Sequence, residues 1–224
     1  INFRECFYGY LPFAHQVADD KIYILSHNAW VYRPSDSKFS KLRINEKQNI
    51  TTQALVLTYS DDSISLLKRE NQAFCVTQRN DSISRLFNLE VGETITALYY
   101  DKKGIIWTGS NKGLGYYDLK SKTFHRIPTK LFNGISNLLY EPNDRLWICA
   151  QNRLFSYIIK ENKFVIWNGS DGYSSNEIMF SYQKTHLNKK YVYLCGVEGL
   201  VQIKTDIPER NDPIPEIWID DIIY

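Results

Sequence analysis

The sequence predicts an all-β fold, a β-propeller of four-stranded antiparallel blades, on three observations: a repeat of about forty residues, four short strand patterns within each repeat, and an aromatic-rich composition. Two copies are plain. The first is ITALYYDKKGIIWTGSNKGLGYYDLKSKTFHRI, Ile95 to Ile127, and the second ISNLLYEPNDRLWICAQNRLFSYIIKENKFVIW, Ile135 to Trp167. Trp107 and Trp147, Leu114 and Leu154, Tyr117 and Tyr157, and Phe124 and Phe164 are each separated by 40 positions. Aromatic residues make up 14% of the chain, and no stretch has the composition of a long helix, so strands are favoured.

Taken in chain order, a first weak copy spans about residues 13–43, with an acidic turn at Asp19-Asp20 and aromatics at Tyr23, Tyr32 and Phe39. A second, about 52–90, supplies a strand, the turn Asp61-Asp62-Ser63 and two more strands, without the aromatic signature. The third, 95–127, reads as ITALYYD, a turn at Lys102-Lys103-Gly104, IIWTGS, a turn at Asn111-Lys112-Gly113, LGYYDL, a turn at Ser121-Lys122, then TFHRI. Gly104 and Gly113 fall where a tight turn requires positive φ. The fourth, 135–167, places Asn143-Asp144 and Asn152-Arg153 at the same two turns, and a last copy, about 177–204, keeps Tyr193 and Leu200 seven apart, like Trp107 and Leu114. One four-stranded sheet cannot bury both of its faces alone, so such units stack radially, with Trp107 and Trp147 as wedges between blades. A solenoid would need repeats with a different internal strand count.

Composition narrows the function. Lys plus Arg, 27, against Asp plus Glu, 25, leaves a net charge of +2, which gives no basic field for nucleic acid. Cys6, Cys75, Cys149 and Cys195 are far apart and form no Cys-x-x-Cys or Cys/His cluster, so neither a metal nor a cofactor is expected and the thiols read as small buried hydrophobes. No apolar run reaches membrane-spanning length, and INFRECFYGYLPF lacks the layout of an export signal. The histidines His15, His27, His125 and His186 are scattered, no Gly-x-Ser-x-Gly nucleophile motif is present, and the acidic pairs sit at turns or point to opposite faces of a strand, which argues against an enzyme.

WD40 dipeptides and kelch glycine pairs are missing, and Asp101, Gly104 and Trp107 are spaced too widely for a sialidase Asp-box. The third repeat instead resembles the two-component regulator propeller repeat: Asp101, Gly104, Ile106, Trp107, Gly109, Ser110, Gly113, Leu114 and Tyr117 fit its pattern position by position. Asp171-Gly172-Tyr173-Ser174-Ser175-Asn176-Glu177 and Gly196 to Leu200 match two later segments of such sensors. PIPEIWIDDIIY, Pro213 to Tyr224, looks like the entry strand of the immunoglobulin-like domain that follows them, which divides the chain into 1–210, propeller, and 211–224, linker and first strand.

The resemblance implies a non-catalytic sensor in the periplasm, part of an inner-membrane hybrid two-component protein whose kinase and DNA-binding modules lie elsewhere. Its partners would be an oligosaccharide and possible homodimer contacts, with nucleic acid and membrane met only by the rest of the protein. Such sensors usually have seven blades, so five readable units imply a fragment, with a closed five-bladed ring as the alternative. Loops joining second and third strands, and loops between blades, share one face, and they nominate His27, Asn28, Asn111, Lys112, Gln151, Asn152, Arg153, Trp167, Tyr173 and Glu198 as ligand-binding candidates. The competing readings are a protein-interaction platform and a propeller lyase or hydrolase.

Overall fold

The structure, a computed structural model, describes residues 13–18, 20–25, 29–44, 50, 55–141, 143–151, 153–167, 186–187, 191–196 and 199–204. Among them the regular elements are strands, apart from one 3-10 turn at Ile159–Glu161. The first blade is β1 (Phe13–Ala18), β2 (Lys21–Leu25), β3 (Ala29–Arg33) and β4 (Lys38–Lys41), paired in that order. A two-residue strand, β5 (Arg43–Ile44), precedes the second blade, β6 (Val56–Ser60), β7 (Ile64–Arg69), β8 (Gln72–Thr77) and β9 (Ser82–Asn88). The third blade is β10 (Ile95–Tyr100), β11 (Ile105–Ser110), β12 (Gly113–Asp118) and β13 (Thr123–Arg126). The fourth is β14 (Asn137–Glu141), β15 (Arg145–Ala150), β16 (Arg153–Ile158) and β17 (Lys163–Trp167), and β18 (His186–Leu187), β19 (Tyr191–Gly196) and β20 (Gly199–Lys204) belong to a fifth.

All blade pairings are antiparallel, and the first strands of successive blades adjoin one another, β1 with β6, β6 with β10, β10 with β14 and β14 with β18. That contact series places the first strand of each blade nearest a common axis, which is the propeller arrangement. One feature is absent from the sequence reading: β5 pairs in parallel with β9, so the chain leaving the first blade covers the outer edge of the second. An outer strand otherwise presents unpaired backbone groups, and this short bridge satisfies some of them.

Strand period two sends alternate residues to opposite neighbours. On β11, Ile106 joins a cluster with Leu66, Phe87 and Leu98 of the second and third blades, while Trp107 joins Leu146, Phe155 and Tyr157 of the fourth. The first interface is built the same way from Tyr23, Val31, Leu67, Phe74 and Ile83. Each of these side chains is almost fully buried, and burial of one such group stabilises by about 1.5–3 kcal/mol.

The turns obey their chemistry. Gly104 and Gly113 have φ of 109° and 117°, a region where a Cβ is disfavoured. Asp101 closes the first hairpin of its blade by accepting N–H bonds from Lys103 (2.7 Å) and Ile105 (3.0 Å), and Asp61 does the same for Ser63 and Ile64 in the second blade. These turns also clamp neighbouring blades. Lys102 reaches back to Asp61 at 3.9 Å, Lys103 reaches forward to Asp144, and Asp144 in addition accepts from Tyr140 and pairs with Lys160. Between the first two blades Lys21 and Arg33 converge on the buried Asp81.

Two outcomes test this packing. A Cβ at Gly115 would lie 2.4 Å from Phe124 Cζ and 2.8 Å from the His125 carbonyl oxygen; Gly115→Ala is expected to cost about 1–3 kcal/mol and to lower the unfolding midpoint in a thermal scan. The Lys103 ammonium, with Tyr140 and Lys160, holds the Asp144 carboxyl well below its ordinary range. A depressed carboxylate stabilises above its unfolded pKa of about 3.9 and stops doing so as pH falls toward the folded value. Asp144→Asn should therefore destabilise at neutral pH, and its deficit in urea midpoint should shrink below about pH 4.

Candidate binding cleft between the third and fourth blades

Of the residues nominated from the sequence, Asn111, Lys112, Gln151, Arg153 and Trp167 lie among the described residues. Asn111 accepts from the Thr94 N–H at 2.8 Å, and Lys112 pairs with Glu90 at 3.1 Å, so this turn is strapped to the loop between the second and third blades. Gln151 is exposed at a positive-φ turn position, φ 49°, and Arg153 is exposed at the start of β16. Trp167 packs on Trp147, with ring centroids 5.3 Å apart, and its indole N–H donates to Ser156 Oγ at 3.0 Å. His27, Asn28, Asn152, Tyr173 and Glu198 lie outside the described residues.

A different place opens instead. Strand register aligns one cross-strand row in each of the first four blades. Starting from the second strand and moving outward, the row reads Tyr23, Val31, Ser40 in the first blade, Leu66, Cys75, Ser84 in the second, and Trp147, Ser156, Val165 in the fourth. In the third blade it reads Trp107, Tyr116, His125, preceded on β10 by Tyr99. The third blade thus presents an aromatic row on the side that meets the fourth. Tyr116 and His125 stack at 4.9 Å and 23°, and Tyr116 lies 5.5 Å from Trp107. Bulky rings at the two outer positions, where the first, second and fourth blades carry Val, Ser or Cys, keep the outer parts of the blades from closing together.

The result is a cleft of about 530 Å³, within the size range of small-molecule sites. Trp107, Tyr116 and His125 form one wall, Tyr157 and Ile159 the other, and Arg126, Pro128 and Asn162 contribute to the lining. Tyr157 meets Trp107 edge to face at 6.1 Å and donates its hydroxyl to Asn162 Oδ1 at 2.9 Å. Burial raises the Tyr157 phenol, which keeps that donor protonated. In the fourth blade the corresponding space over Ser156 is taken by the blade's own Trp167; the third blade has Ile127 at that repeat position and leaves its row uncovered.

Polar groups differ between the blades in the same way. Trp147 donates its N–H to Glu141 at 3.0 Å. Burial pushes the Glu141 carboxyl up, against the opposing pull of Trp147, Arg145 and Asn143. Asp101 stands where Glu141 does, one methylene shorter and engaged by its own turn, and the buried Trp107 Nε1 has no partner among the described residues. On the rim, Arg126 reaches both carboxylate oxygens of the wholly buried Glu93, at 2.7 and 2.8 Å, and Ser110 at 3.3 Å. Among the described residues the lining includes flat aromatic faces, amide and guanidinium groups and one imidazole, with no carboxylate or thiol, a set suited to stacking and hydrogen bonding. Among the described residues no group of three or more His, Cys, Asp or Glu could hold a metal. Sequence comparison at the 40-residue offset carries a signal for this cleft, in Tyr116 against Ser156, His125 against Val165 and Ile127 against Trp167.

No protein-family model matches the sequence. The chain is 25% identical over 114 residues to Histidine kinase P4 of Formosa agariphila, an alignment covering 49% of this chain and 8% of that protein. Among solved structures it is similar to the extracellular domain of the hybrid two-component system BT3049 from B. thetaiotaomicron, at 16% identity and a TM-score of 0.55, over 85% of this chain and 26% of that one. The extracellular domain of BT4673 from the same organism matches at 13% identity and a TM-score of 0.60, over 82% of this chain and 26% of its own. YCF48 bound to D1 peptide matches at 13% identity and a TM-score of 0.65, over 89% and 66%. At these identities the structures establish the fold alone. The chain spans about a quarter of the length of the two extracellular domains. No helix among the described residues is long and apolar enough to cross a membrane.

The paired tryptophans give an internal control. Trp147→Phe removes the donor to a buried carboxylate and should cost about 1–3 kcal/mol more than Trp107→Phe, which breaks no hydrogen bond; denaturant midpoints of the two variants measure the difference.

Proposed function

We propose that this chain is a ligand-sensing, non-catalytic part of the extracytoplasmic region of a two-component regulator, and that its signal is an oligosaccharide. The observation that carries the sugar reading is the uncovered row Trp107, Tyr116 and His125 facing Tyr157 across the cleft. A pyranose ring has an apolar face that stacks on aromatic rings and a rim of hydroxyls that exchange hydrogen bonds with groups such as Asn162 and Arg126. The likeness to extracellular domains of hybrid two-component systems supports the sensor reading and an extracytoplasmic location. Signalling would follow from a population shift: a ligand bridging two blades favours the arrangement in which both walls are in place, and that bias passes to a kinase in the remainder of the protein, through homodimer contacts.

A protein-interaction platform is the second reading. It is favoured by the likeness to YCF48 bound to D1 peptide and by Val91, 96% exposed in the loop between the second and third blades.

A titration against neutral and acidic oligosaccharides, followed by tryptophan fluorescence and thermal shift, decides between them. A cognate sugar at 100 times its Kd should raise the unfolding midpoint by roughly 5–10 °C without product formation. Tyr116→Ala should weaken binding at least about tenfold while leaving the midpoint of the free protein within a few degrees. Absence of a shift with every sugar would move the reading to the interaction platform, and cleavage of the sugar would make the protein an enzyme.

A further inference from the structure

Resting on the sugar reading above, we propose that the cleft selects uncharged sugar rings over acidic ones, and that Glu93, outside the cleft, is the residue that sets this preference. Arg126 is the only permanent cation of the cleft lining as described. An exposed guanidinium in an aromatic cleft would ordinarily attract uronate or sulfate, because its planar fork matches carboxylate and sulfate oxygens. Here both terminal nitrogens of Arg126 are engaged. Its Nη2 contacts both oxygens of Glu93, Nη1 contacts Ser110, and the guanidinium lies 5.1 Å over the Phe124 ring. The Glu93 side chain is fully buried and that of Arg126 is 36% exposed, so the carboxylate has no route to solvent and is held to this cation. A buried carboxylate is costly without its partner, which makes transfer of Arg126 to a ligand anion unfavourable.

The arrangement leaves the cleft electrically neutral. With no carboxylate among the lining residues and Arg126 cancelled by Glu93, an acidic sugar would lose hydration without gaining an unpaired cation. A neutral ring loses nothing of that kind, since stacking on Tyr116 and Tyr157 and hydrogen bonding at Asn162 require no charge.

Tetrasaccharides of matched linkage test the inference: α-1,4-linked galactose against α-1,4-linked galacturonate and β-1,4-linked mannose against β-1,4-linked mannuronate, each pair differing only in the oxidation state at C6, titrated by fluorescence and calorimetry. The parent protein should bind at least one neutral member at least about tenfold more tightly than its acidic partner. Glu93→Gln releases the Arg126 charge and should raise affinity for the acidic member by about tenfold or more, leaving neutral affinity within about threefold. The double variant Glu93→Gln/Arg126→Gln removes both charges and leaves no buried carboxylate unpaired; it should bind acidic members as weakly as the parent, to within about threefold, and it tests the idea even if the first variant does not fold. Equal or tighter binding of acidic members by the parent, an unchanged ratio in folded Glu93→Gln, or a further loss of acidic affinity in the double variant, which would show Arg126 attracting anions despite Glu93, would overturn the role of Glu93 while the sugar reading stands. Failure of the parent protein to bind either class would remove the sugar reading itself, and this inference with it.

Discussion

A four-stranded antiparallel sheet has two faces, and in this protein both must be buried by neighbours, because alternate side chains along the second strand are large and apolar. Ile106 and Trp107 make the point in two consecutive residues: one is inserted into the blade before, the other into the blade after. No blade in the described arc completes its own core. The radial stack, the repeated strand register and the closeness of first strands to the axis all follow from that requirement, and so does the recurrence of a bulky residue on the second strand.

Turn chemistry and ion pairs act on this frame at its margins. Asp61 and Asp101 use one carboxylate oxygen to close their own hairpins, which sets the second strand in register with the first. Lysines of the same turns reach to adjacent blades, where solvent screens them, so their contribution is modest beside the buried contacts. Glu93 and Asp81 differ in kind. Both are buried acids met by cations from another segment, and removal of either partner would strand a charge inside the protein.

The cleft is a local exception to the packing rule. Where three blades carry small residues outward of the second strand, the third carries Tyr116 and His125, and rings of that size cannot nest against Tyr157 and Ile159 as Val or Ser would. The fourth blade shows the alternative solution, in which Trp167 folds over Ser156 and closes the equivalent space from within. The cleft therefore arises from a change at three positions of one repeat, without alteration of the strands that display it.

The sequence by itself determined the architecture, because strand alternation, turn residues and the 40-residue spacing are all short-range properties that recur in the text of each repeat. Gly104 and Gly113 at positive φ, and Trp107 and Trp147 as buried wedges, were legible for that reason. The site was not. Asn111 and Lys112 have the chemistry of ligand groups, yet each is held by the preceding inter-blade loop, and Trp167 is held by its own blade. Conversely, Tyr116, His125 and Tyr157 read as ordinary strand residues until register placed two of them in one row and packing set the third opposite. Register within a blade is decided by hydrogen bonds that sequence spacing foretells. Which side chains meet across two blades, and whether they close or leave room, depends on the summed volumes of residues about 40 apart in the chain, and only the folded structure brings those volumes together.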